Sequence, residues 1–151
     1  MSIEDRLADL GIDLPPVAKP VAAYVPAIQV GDQISTSGQL PLVSGSLPMT
    51  GLVGDQISQE DAAGQARVAA LNALAAAADV AGGVNNIRRV IRVVVYVASA
   101  ADFTAQPAVA NGASELFGEI FGDAGRHIRS AIGVASLPLG APVKVELTVQ
   151  V

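Results

Sequence analysis

Apolar and polar positions alternate most strictly at the end of the chain. Val143, Val145, Leu147, Val149 and Val151 fall on one side, and Lys144, Glu146, Thr148 and Gln150 on the other. This is the period-two pattern of a strand with one buried face. The run "RVIRVVVYVAS" (89–99) is almost continuously β-branched and reads as a strand buried on both faces. Residues 22–30 and 33–37 read as two strands joined at Gly31-Asp32, a hairpin by its turn chemistry. In 127–135 the alternation places Ile128, Ile132 and Val134 on one side, expected to face the helices. His127, Arg129, Ala131, Gly133 and Ala135 fall on the other.

Two longer segments carry a helical period instead. Ser58 with Asp61 three residues on is an N-cap signal. The helix it opens runs to about Val80, with Val68, Leu71 and Ala75 on one face, and "AGG" ends it. Its alanine-rich surface allows close approach of another backbone. Pro107 to Phe121 spaces Val109, Ala113, Leu116, Phe117 and Ile120 as a helix does, and Gly122 closes it. Ser2 and Asp5 predict a short helix ending at Gly11, followed by the prolyl connector "DLPPVAKP". Residues 40–56, with Pro41, Gly45, Pro48, Gly51 and Gly54, read as a long loop. The order is β-β-α-β-α-β-β, an α+β arrangement of one mixed sheet with two helices on one face and some parallel pairing through a right-handed crossover. Residues 22–151 form the domain, and residues 1–21 are a helical and prolyl extension.

Composition adds one expectation to this. Of 151 residues, 51% are hydrophobic but only 3% aromatic, so the core is built from Ala, Val, Leu and Ile. A mean hydropathy of +0.48 is more than a domain this small hides alone, which predicts a subunit interface. No apolar run is long enough for a transmembrane helix, and the acidic start "MSIED" lacks a signal-peptide core. With no cysteine there is no disulfide, thiolate site or cysteine nucleophile. These features suit the cytoplasm and no membrane partner. A net charge of −5 argues against nucleic acid as a partner, although Arg88, Arg89 and Arg92 form a local basic cluster.

The apolar strand 127–135 raises a chemical question, because Arg129 stands on a side otherwise made of small residues and His127. Space beside one cation suits a small anion, and the guanidinium fork matches a carboxylate. Glu146 lies on the polar face of the last strand and shares a pocket with Arg129 if that strand flanks or faces it. The plainer alternatives stand beside this: a surface arginine paired with an acid, a structural or solvated histidine, and a solvated strand glutamate. Sequence motifs for zinc peptidases, P-loops and serine hydrolases are absent. One histidine forms no histidine metal cluster.

The blocks "AYVPAIQVGDQISTSGQLP", "QARVAALNALAAAADVAGG", "RVIRVVVYVASAADF", "NGASELF" and "RSAIGVASLPLGAPVKVELTVQV" occur in that order. In this the chain resembles the YjgF/Rid family of reactive-intermediate deaminases, also labelled endoribonuclease L-PSP. The resemblance implies a chorismate-mutase-like, ferredoxin-like fold and a homotrimer with clefts between subunits. It implies hydrolysis of 2-imino or enamine acids to 2-keto acids and ammonia, with no metal or organic cofactor. By the same resemblance Arg129 clamps the substrate carboxylate and Glu146 helps position water. Tyr24, Gly38 and Asn111 join them in binding a small carboxylate-bearing ligand. The chain departs from that pattern at His127 and Ala131, where proline and cysteine are common, and these two changes bear on the pocket. Ala23-Tyr24 replaces Pro-Tyr, and the "LPLGAPV" turn is longer. A non-catalytic trimeric module that binds or senses a carboxylate fits the same residues. A ribonuclease fits them least.

Overall fold

The computed structural model describes residues 1–20 and 22–151. Its elements run α1 (Ile3–Asp9), β1 (Ala27–Val30), β2 (Gln33–Thr36), α2 (Gln59–Ala81), β3 (Arg89–Ala98), α3 (Gln106–Phe121), β4 (Ile128–Val134) and β5 (Val143–Gln150). They build one five-stranded mixed sheet in the order β1-β2-β5-β3-β4. Among the strands of the described residues β3 and β4 are the parallel pair, and α3 is their crossover. The other neighbours are antiparallel.

The hairpin turns at Gly31 and Asp32, between the partners Val30 and Gln33, with Gly31 at φ +62°. Its first strand begins at Ala27, later than the expected start at 22. Pro26 has no N–H to give to a ladder, so pairing begins after it. The sheet continues past β2 through Gln39, whose amide and carbonyl pair with Val145. That bridge sets Gly38 beside the start of β5.

Ser58 caps α2 by accepting from the Asp61 amide, and Gly82 ends it in the left-handed region. The side of α2 on the sheet is nearly all alanine: Ala62, Ala66, Ala69, Ala70, Ala73 and Ala77, with Leu74, are fully buried. Val68 and Leu71 are half-buried on another side, which together with residues 13–19 lines a groove. Small residues also bring the helices together. A Cβ built on Gly112 of α3 would overlap the carbonyl oxygen of Ala63 on α2. The long loop is held by Asn72, whose amide nitrogen donates to the carbonyls of Leu40 and Leu42 at 2.9 and 3.0 Å. Val53, in the same loop, is fully buried.

α1 docks on the helical layer. Its Leu7 is buried, and Arg6 donates to the Glu119 carbonyl of α3 at 2.8 Å. Val93, Val95 and Val97 of β3 and Val143, Val145 and Leu147 of β5 form the sheet's contribution to the core. The opposite face carries no covering layer among the described residues. Ile28 and Val30 at one edge, and Ile128 and Ile132 at the other, are 59%, 72%, 59% and 41% exposed. No helix is long and apolar enough to cross a membrane among the described residues.

Candidate functional site

Pairing with β3 decides which way β4 points. Val93, Val95 and Val97 are fully buried under the helices, and their register partners are Arg129, Ala131 and Gly133. Paired residues share a side of the sheet. Arg129, Ala131 and Gly133 therefore face α3, and Ile128 and Ile132 face away. This reverses the expectation from alternation alone that the isoleucines meet the helices. The parallel register with β3 is the cause, because it aligns these three positions with the valines buried under the helices.

Arg129 on that side is fixed by α3. Its Nη1 donates to Asn111 Oδ1 at 2.8 Å and to Ser114 Oγ at 3.2 Å. The ring of His127 continues the chain, with Nε2 2.8 Å from Ser114 Oγ and Nδ1 2.6 Å from the Gly125 carbonyl. A carbonyl only accepts, so Nδ1 carries a proton, and in the neutral ring Nε2 accepts from the Ser114 hydroxyl. The ring also meets Phe117 edge-on, with centroids 6.1 Å apart. The network thus runs from Arg129 through Ser114 and His127 to Gly125, and it spans β4 and α3. No carboxylate pairs with Arg129 among the described residues; the ion pairs there are Arg67–Glu119 and Arg126–Asp123. The surface-pair alternative for Arg129 therefore has no partner in the fold.

Tyr24 and Gly38 gather elsewhere. They line a cavity of about 260 Å³ with Leu40, Leu42, Leu139 and Lys144. The lysine stem lies across Gly38 so closely that a Cβ there would overlap it.

Glu146 lies on the uncovered face of the sheet. It is the register partner of Val94 and accepts from the Tyr96 hydroxyl at 3.1 Å. Burial, then the hydrogen bond to Glu146 and its charge, push the Tyr96 phenol above its ordinary value. Since β3 lies between β4 and β5, and the two side chains leave opposite faces, Arg129 and Glu146 do not share a pocket within one chain. The condition on which the two would share a pocket, that the last strand flanks or faces Arg129, is not met within one chain.

Sequence reasoning thus found Arg129, Asn111 and His127, and the fold brings them together. It missed Ser114, which stands three residues after Asn111 on the same helix face. It also missed Lys144, which alternation had placed beside Glu146 on the polar face. His127 and Ala131 both lie on the Arg129 side, with Ala131 packed against the core.

The model of the family described as "YjgF/chorismate mutase-like, putative endoribonuclease" matches residues 4–151. Protein TCP17 of Trypanosoma cruzi is 40% identical over 146 residues, covering 96% of this chain and 91% of that protein. The crystal structure of Atu1372 from Agrobacterium tumefaciens is 41% identical with a TM-score of 0.88, covering 99% of this chain and 92% of that one. A Shewanella oneidensis structure described as that of a putative endoribonuclease superposes with a TM-score of 0.96 at 32% identity, over the whole of both chains.

Proposed function

The chain belongs to the YjgF/chorismate-mutase-like family, and from that premise we propose that it hydrolyses small 2-imino or enamine acids to 2-keto acids and ammonia. The observation that carries this reading is Arg129. Its guanidinium is held in place by two neutral oxygens, Asn111 Oδ1 and Ser114 Oγ, with no acid on it among the described residues. A fixed cation without a counter-ion is preorganised for a carboxylate.

The reaction then asks little of the protein. An enamine first takes a proton on its β-carbon and loses one from nitrogen to become the imine, whose C=N carbon is already electrophilic. Water adds to it, the nitrogen takes a proton, and the C–N bond breaks to release ammonia and leave C=O. Arg129 holds the carboxylate, and orientation supplies much of the acceleration. Glu146 positions the water in this scheme. Because it and Arg129 leave opposite faces of the sheet, it comes from a second copy of the chain, as do Tyr24 and Gly38. The working unit is a homotrimer with its sites between subunits. The uncovered sheet face supports that assembly, since its exposed isoleucines and valines gain by burial.

One observation favours a non-catalytic carboxylate-binding module instead: Glu146 is already engaged by Tyr96, and both ring nitrogens of His127 are occupied. The ribonuclease reading draws no support from a net charge of −5 and a histidine held in this way.

Ammonia release from freshly generated 2-iminopropionate and bulkier 2-imino acids tests the proposal. The wild type accelerates release. Arg129→Ala loses about 10-fold or more in kcat/KM, the equivalent of one or two charge-assisted hydrogen bonds at about 1.5–3 kcal/mol each. No acceleration of any imine by the wild type rejects the deaminase and leaves the binding module.

A further inference from the structure

We infer that Lys144 anchors a second anionic group, so that the ligand is a small diacid with one carboxylate for Arg129 and one for Lys144. Three features of the cavity around Gly38 point to this. First, the lysine stem crosses Gly38, and only the missing side chain at position 38 lets it lie there. Second, its ammonium makes no ion pair among the described residues, and the nearest acid on its own strand, Glu146, is held by Tyr96. Third, the rim is strained. Leu139 sits at φ 61°, in the left-handed region, with its side chain 71% exposed beside the opening. Non-glycine residues persist there only where the surroundings impose it, and such strain gathers at ligand clamps.

The shape of the cavity sets the rest of the ligand. About 260 Å³, lined by the apolar Leu40, Leu42 and Leu139 and by two lysines, Lys19 and Lys144, suits a metabolite-sized molecule with a short methylene body; of the two cations, Lys144 is the one carried by the sheet and laid across Gly38. A lysine ammonium is a point charge on a flexible stem, which serves a terminal carboxylate without demanding a bidentate approach. The diacid assignment rests on the proposed function only in requiring that Arg129 and this cavity serve one ligand between two copies of the chain.

Binding of stable 2-oxo acids by calorimetry, with the full chain, tests it apart from turnover. A five-carbon 2-oxo diacid binds the wild type roughly tenfold or more tightly than a five-carbon 2-oxo monoacid. Lys144→Met abolishes that preference, whereas Arg129→Ala weakens the binding of both acids. Lys144→Gln replaces Lys144→Met should the latter fail to fold. Equal affinity of the wild type for the two acids overturns the inference, as does a preference that survives loss of the lysine, or no binding of the diacid at millimolar concentration. A lysine-dependent diacid preference without turnover of any imine upholds it while rejecting the deaminase.

Discussion

Tyr96 donates to Glu146 across 3.1 Å, and burial together with that carboxylate holds the phenol above its ordinary value of 10.0. The folded value exceeds the unfolded one, so the folded state binds the proton more tightly. This contribution to stability is fully present below about pH 10 and lost as pH rises through the folded value. The chain holds two tyrosines, Tyr24 and Tyr96. Ultraviolet titration shows the Tyr96 phenol displaced upward, and Glu146→Gln brings it back toward 10 while burial keeps part of the shift. An unmoved titration in the variant would show that Glu146 plays no part. At this scale the place of Arg129 on a side of β4 otherwise made of small residues and His127 was legible from alternation alone. Its partner Ser114 was not, because a serine in a helix interior is ordinary until the strand beneath it is known.

Helix α3 lies so close to α2 that position 112 admits no side chain, since a Cβ there overlaps a backbone oxygen that cannot swing aside. Gly112→Ala consequently destabilises the fold by about 1–3 kcal/mol, the usual range for overpacking, despite alanine's better helix propensity. Urea denaturation with an unchanged slope checks it, and a stabilised variant would refute the close approach. Element types were readable from period alone: the caps at Ser2 and Ser58, the closing glycines and the alternation of β5 all appear where expected. The facing of β4 was not. Alternation divides a strand into two sides without saying which side is inward. Here the register with β3 assigned the inner side to Arg129, Ala131 and Gly133.

Across the whole molecule, one face of the sheet is covered by α2 and α3, and the other exposes Ile28, Val30, Ile128 and Ile132. The proposed trimer buries that face. Ile132→Asp is expected to shift the sedimentation velocity from trimer to a folded monomer and to abolish imine turnover with it, because the Arg129 and Glu146 sides of the site then come apart. A trimer that persists with full activity in this variant would place the subunit contact elsewhere. The apolar excess in the composition had pointed to an interface. It did not say where, since exposed apolar residues are legible only after the sheet order is known.

Local order was determined by the sequence itself: the strand and helix periods, the caps, the glycine turn at Gly31 and the chemistry open to Arg129. Each follows from residues a few positions apart. Only the tertiary structure decided the neighbours. The order β1-β2-β5-β3-β4 inserts β3 between the two strands that carry Arg129 and Glu146. It also carries Lys144 to Gly38, through a bridge between residues more than a hundred positions apart in the chain. Long-range pairing depends on the sum of all core contacts, so the meeting of these side chains is a property of the packed whole.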